Sequence, residues 1–223
     1  MAAVKVVYFT EVFSSWCYWG EPMWAELKAR YSGRVDFEVR IAMMRPEDFP
    51  GSREQCDWAY RRSGGTVMRS PFMLSSGWVE PGRQGGYPAG DLVLQAAVGL
   101  GADPDKARLA LMEAALRQGR KIGQIDEAVA AAARATGLDP KALKAGAESP
   151  GIRAEVDASS AEYFAHQLGQ NQRPAFLLTD ATGSKAVLAG LVQIAPLAAA
   201  IDAMLSDCAA YAAHAAHHPP PGK

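Results

Sequence analysis

What most constrains this chain is the order in which its strand-like and helix-like patterns follow one another. Residues 4–10 (VKVVYFT) are β-branched, aromatic and nearly all apolar, as a strand buried on both faces requires. Beyond Ser14 and Ser15, both good N-cap residues, Cys17, Gly20, Trp24, Leu27 and Tyr31 recur at three- and four-residue steps and mark one face of a helix. Pro22 inside that helix predicts a kink with the Tyr18 carbonyl left free, and Ser32–Gly33 ends it. Residues 35–43 alternate apolar and polar and read as a second strand. Parallel strands joined through a helix cross over right-handedly, so the first fifth of the chain predicts a βαβ unit.

The middle changes character. Residues 46–51 read as loop and 52–62 as a short helix. Residues 63–90 are rich in Gly, Pro and Ser and carry Phe72, Trp78 and Tyr87. A loop of that length in a compact domain usually serves binding or acts as a lid. Helical patterns then cover 91–100, 103–118, 125–136, 140–147 and 152–168, separated by Gly, Pro or Asp. After Gly169 the strand signal returns: residues 174–179 and 185–189 flank the turn DATGS as a hairpin. Pro196 opens a last helix with Leu197, Ile201, Met204, Leu205 and Cys208 on one stripe, and residues 216–223 read as a mobile tail. The order βαβ, helices, ββα predicts an α/β chain. Residues 1–50 and 169–215 build a mixed four-stranded sheet, and 51–168 form a helical insertion.

Composition narrows the function. A chain of 223 residues can bury roughly 70% of its unfolded surface, so it needs no covalent staple. A net charge of -1 argues against a basic nucleic-acid footprint. No apolar run reaches the ~20 residues of a membrane span. The N-terminal residues lack the pattern of a secretory signal, so the expected location is cytoplasmic. Three cysteines, at 17, 56 and 208, are too few and scattered for a disulfide framework. His214, His217 and His218 stand beside prolines and read as a polar end, not a metal site. The charged residues of 103–127 read as solvated helix faces.

Chemistry points to the first strand–helix junction, Glu11 to Gly20 (EVFSSWCYWG). In α/β folds ligands collect at strand carboxyl ends, facing helix N-termini whose N–H groups favour an anion or thiolate. A sulfur in that first turn is expected to have a lowered pKa. Ser14 and Cys17, three residues apart, share one face of it.

This junction resembles the DsbA-like branch of the thioredoxin superfamily, whose members carry Cys-Pro-Trp-Cys here, often followed by Tyr-x-Gly. Asn171 to Phe176 (NQRPAF) resembles the family's cis-proline segment. Residues 111–138 resemble the helical insertion of its cytoplasmic members, and Ala189 to Gln193 (AGLVQ) matches the stretch before the last helix. The resemblance spans almost the whole chain and implies a thioredoxin-like fold. It places Ser14 on the family's attacking cysteine, Ser15 on its proline and Cys17 on its second cysteine. Thiol–disulfide exchange needs a thiolate attacker, which a hydroxyl does not replace. The implied site is therefore degenerate, with Cys17 the only candidate redox sulfur.

A related group, the kappa-class glutathione transferases and 2-hydroxychromene-2-carboxylate isomerases, uses a serine that hydrogen-bonds the glutathione thiolate. Ser14 is similar, although that group's motif proline is missing here and 190–196 lacks its Asp-Arg pair. Three readings stay open: an oxidoreductase-type protein whose degenerate site binds a thiol or glutathione, a glutathione-dependent isomerase or transferase, and a non-catalytic peptide- or thiol-binding module. The resemblance implies a cis Pro174 beside an extended peptide or glutathione. Trp16 would border the site. Arg173 would pair a carboxylate or steady a thiolate, and Glu11 is a strand-end acid with a raised pKa. The plainer roles are packing for Cys17 and surface charge for Arg173 and Glu11. The site is expected between Ser14–Cys17, Arg173–Pro174 and the aromatic residues of 66–88. No cofactor is required. Glutathione would act as cosubstrate, the partners would be a small thiol, a glutathione conjugate or an extended peptide, and a homodimer is expected, with no nucleic acid and no membrane.

Overall fold

The computed structural model describes residues 2–83, 86–167, 172–190 and 193–217. Strands β1 (Val4–Thr10), β2 (Val35–Ile41), β3 (Ala175–Asp180) and β4 (Lys185–Ala189) form one sheet in the order β2-β1-β3-β4. Helix α1 (Ser15–Arg30) carries the chain from β1 to its parallel neighbour β2, in register Val4↔Val35. Strand β3 runs antiparallel to both β1 and β4.

Strand β1 is central, which is why its sequence is apolar on both faces. On one side Val4, Val6, Tyr8, Phe176 and Leu178 pack against Met23, Trp24 and Leu27 of α1 and against Leu197, Ile201 and Met204 of α8 (Ile194–His217). On the other side Val7, Phe9, Ala175 and Leu177 meet Tyr163 and Phe164 of α7 (Pro150–Gln167). Alternate residues thus serve two cores, as strand geometry demands.

Between β2 and β3 lie α2 (Arg53–Tyr60), α3 (Ala89–Gly99), α4 (Pro104–Met112), α5 (Ile125–Thr136) and α6 (Pro140–Ala147) before α7. Side-chain caps fix the starts of α2, α4 and α6. Ser52 accepts from Gln55 N, Asp103 from Asp105 N, and Asp139 from Lys141 N and Ala142 N, with proline in the first turn of α4 and α6. Gly137, at φ 77, ends α5 in the left-handed conformation that glycine adopts without strain.

The chain departs from the sequence reading in several places. Residues 63–90 are not an open lid: α2 continues into a π-helical stretch at 61–67, and Trp78 and Tyr87 are buried. Their rings stack around Phe13, at centroid distances of 4.6 and 5.4 Å, so the aromatic residues of this segment serve mainly as core. Helix α1, by contrast, runs through Pro22 to Arg30 as the sequence reading has it. Helix α7 is shared, its start packing with the insertion through Ile152 and Val156 and its end covering the sheet. The division at 168 therefore falls after a helix that belongs to both parts. Helix α8 is helical to His217, and the tail residues 218–223 lie outside the described residues, as does Asn171. By length and mean hydropathy α8 is long and apolar enough to cross a membrane, and one stripe of it, Leu197, Ala198, Ile201 and Met204, is buried on the sheet.

Candidate functional site

The site is built on the turn after β1. Ser14 N donates to Glu11 O (3.1 Å), and the Ser14 hydroxyl accepts from Cys17 N (3.3 Å). Ser14 is thus the N-cap of α1. This follows from its sequence position: a short hydroxyl two residues before the helical pattern satisfies one of the helix's unpaired N–H groups. With one lone pair used by the cap, the hydroxyl proton can turn to Cys17 Sγ beneath it or to an acceptor in the cleft.

Ser14, Ser15 and Trp16 form one wall of a cleft of about 390 Å³. Glu47 to Pro50, beyond β2, form a second wall, and Gln55, Cys56, Trp58 and Tyr60 of α2 a third. Phe13, Trp78 and Arg173 complete it. Six of its sixteen lining residues are aromatic and six are polar or charged, with Ser14 and the N-terminal end of α1 on its surface. Its third wall, α2, is not among the elements that the sequence placed at the site.

Cys17 lies beneath this surface. It is fully buried and does not line the cleft. Burial pushes its thiol up to about 11, although hydrogen bonds from Ser14 and Thr10 favour the thiolate. The lowered pKa expected for a sulfur in the first turn is thus reversed, because desolvation outweighs the helix N-terminus. Cys56 is also buried, its thiol pushed to about 11 by desolvation while a Tyr60 hydrogen bond pulls the other way. Tyr60 in turn accepts from Trp78 Nε1 at 2.8 Å. All three cysteines are free.

Arg173 is not a solvated charge. Its Nε donates to Ala42 O and its Nη2 to Met43 O, both at 2.6 Å, while Nη1 stands 3.6 Å from Asp48 and the guanidinium lies over the Tyr163 ring. It holds the chain leaving β2 against the segment entering β3. Its edge borders the cleft, but two of its donor directions serve the backbone. The Arg173–Pro174 peptide bond is cis. Pro174 is buried against Gly20 of α1, its carbonyl accepts from Gly190 N (2.7 Å), and it does not line the cleft.

Glu11 is fully buried rather than a surface charge, and it too stays out of the cleft wall. Desolvation holds its carboxyl well above the usual range, helped by neighbouring Asp91 of α3. Their role at the site is indirect, as the floor under the loop that carries it.

One charged cluster escaped the sequence reading. Arg108 of α4 is fully buried and binds Glu21 of α1 with two hydrogen bonds, at 2.9 and 2.6 Å. Tyr8 Oη donates to the same carboxylate at 3.1 Å. Charges of 103–127 are therefore not all solvated: this one ties the insertion to the helix behind the site. Its signal was its spacing, since Arg108, Leu111, Met112 and Ala115 share one helical face and all are buried. No group of three or more His, Cys, Asp or Glu able to hold a metal occurs among the described residues.

No family model and no curated protein matches the sequence. Solved structures do. A protein from Nitrosomonas europaea described as a candidate protein disulfide isomerase superposes with a TM-score of 0.67 at 16% identity, over 92% of this chain and 98% of its own. The cytosolic disulfide reductase DsbM from Pseudomonas aeruginosa gives 0.62 at 19% identity, over 91% and 98%. The same reductase solved with GSH gives 0.61 at 18%, over 91% and 99%. The fold is thus the thioredoxin-like fold of DsbA-type proteins, a mixed four-stranded sheet with a helical insertion.

Proposed function

We propose that this chain is a thiol-binding protein of the DsbA-like oxidoreductase type whose Ser14–Cys17 site holds a sulfur without exchanging it. The observation that carries the reading is the division of labour at the start of α1. The group on the cleft surface is a hydroxyl, and the only sulfur of the motif lies beneath it, buried and protonated. A thiolate entering the cleft would accept from the Ser14 hydroxyl and lie at the positive end of the α1 dipole. No step in this scheme forms or breaks a disulfide. The aromatic walls suit a thiol with an apolar or planar substituent, such as a glutathione conjugate, and glutathione itself is the first ligand to test. The DsbM neighbour has been solved with GSH, which supports that choice and a cytoplasmic location.

Calorimetric titration with glutathione is the test. Binding should weaken by about ten- to 150-fold in Ser14→Ala, since a hydrogen bond to a charged group contributes roughly 1.5–3 kcal/mol, and should not vanish because the dipole remains. The wild type should not reduce insulin. Saturable binding with no loss in Ser14→Ala would remove Ser14 from the site. Insulin reduction that Cys17→Ala abolishes would overturn the non-redox assignment.

A further inference from the structure

Two carboxyl groups meet in the interior where the insertion joins the sheet. Glu11, at the end of β1, and Asp91, in the first turn of α3, are 0% and 1% exposed. Their side chains are in hydrogen-bond contact with each other. No side-chain donor reaches either oxygen of Glu11 or Oδ1 of Asp91, and what favours their ionised forms locally is the backbone N–H of Phe13 for Glu11 and of Val12 for Asp91. Two ionised carboxylates are strongly disfavoured in such a place, because each would be buried beside a like charge. One shared proton resolves both problems, turning one carboxyl into the donor for the other.

The contact spans a tight junction. A Cβ on Gly90 would stand 2.7 Å from Val12 Cγ2, so α3 is pressed directly against the loop that leads to Ser14. The other ionisable groups facing the pair are Arg173 before β3, Cys17 of α1 and Tyr60 of α2. Of these only Arg173 is cationic, and it favours ionisation of both acids. Its guanidinium donates to Ala42 O and Met43 O.

We infer that Glu11 and Asp91 share one proton and act as a pH-sensitive latch between the helical insertion and the loop carrying Ser14. At acidic and neutral pH the proton holds α3 against the loop. As the pH rises and the pair loses it, two buried negative charges push the elements apart and the cleft loosens. The inference does not depend on what the cleft binds.

The sign of the effect is fixed by linkage. Both acids are held above their unfolded values, with Asp91 raised to about 7 by desolvation, so the folded state binds protons more tightly than the unfolded chain. Stability from this contact is fully present below the unfolded carboxylate range, falls as the pH rises through it, and is exhausted above the folded values.

Glu11→Gln and Asp91→Asn keep the shape and replace the shared proton by an amide donor. Hydrogen exchange of the α3 amides, corrected for intrinsic rate, would be measured at pH 5.5 and 8.5. The wild type should open faster at 8.5, by roughly tenfold for each pKa unit of proton affinity lost. Either variant should show a smaller pH effect and a higher melting temperature than wild type at pH 8.5. An equal pH effect in all three proteins would overturn the latch. Infrared spectra of the wild type give a check that needs no variant: a protonated carboxyl band should persist at pH 6 and vanish on unfolding. Its absence would also overturn the proposal. A failure to bind glutathione would leave each of these outcomes unchanged.

Discussion

Replacing the Ser14 hydroxyl by a thiol would put a sulfur on the surface of the cleft, where Cys17 is not. The new side chain would sit at the N-terminus of α1, partly exposed and next to Cys17, the arrangement in which a thiolate is stabilised and a second thiol can resolve a mixed disulfide. Ser14→Cys is therefore expected to turn an inactive protein into an insulin reductase, and the further change Cys17→Ala should remove the gain. The variant should also lose about 1 kcal/mol of stability with the cap. Cys17 itself, at 0% exposure and with its thiol raised to about 11, should resist iodoacetamide at pH 7.5 in the folded protein and react within minutes in denaturant. Rapid native labelling, located by mass spectrometry, would contradict its burial. Ser14 was legible in the sequence because capping depends only on local spacing. The state of Cys17 was not, because its pKa is set by what packs over it. The helix dipole can be read from position, whereas the desolvation that overrides it comes from β1 and from side chains distant in sequence.

At the scale of elements, the join between α1 and α4 rests on a buried ion pair with two hydrogen bonds. Removing Arg108 leaves the Glu21 carboxylate buried without its cation, with Tyr8 Oη still donating to it, and losing one partner of a buried pair typically costs about 3–5 kcal/mol. Arg108→Ala should accordingly lower unfolding stability by that order, measured by urea denaturation. The double variant Glu21→Gln/Arg108→Met should recover part of the loss, because no charge is then stranded. A single-variant loss below about 1 kcal/mol would show that water reaches the pair. The helices themselves were readable from period and caps: Asp103-Pro104 and Asp139-Pro140 announce α4 and α6. Partners of charged residues were not readable, since pairing Glu21 with Arg108 requires the docking angle of two helices 87 residues apart in sequence. The segment around Trp78 and Tyr87 was misread for a related reason. Gly, Pro and Ser mark irregular backbone, and irregular backbone can still carry core side chains when aromatic rings point inward.

In the whole molecule, the insertion and the sheet do not own separate interiors. The largest cluster of buried side chains joins Val12, Phe13, Cys17 and Ile41, from the sheet part, to Val93, Leu94, Leu111, Leu116 and Val129 of the insertion. The residues that position the cleft, Phe13 and Trp78, belong to this shared core, so the cleft exists only while both parts are folded together. Two domains with their own cores would unfold independently, but a common core makes each part's apolar surface depend on the other. We therefore expect one transition in urea, with tryptophan fluorescence and far-UV circular dichroism superposing at every concentration. Of the five tryptophans, Trp24 reports on the sheet core and Trp78 on the shared one, so the summed emission samples both parts. Residues 51–168 produced alone should lack that cooperative transition, since the side chains facing Val12, Phe13, Cys17 and Ile41 would be open to water. A fragment that melted cooperatively would mean the insertion closes its own core, and the cleft would then be an interface between two bodies free to move apart. In the shared-core molecule, by contrast, motion at the cleft requires local release of a contact such as the one between α3 and the Glu11–Ser14 loop. That makes the junction, rather than a flexible linker, the place where access to Ser14 is set.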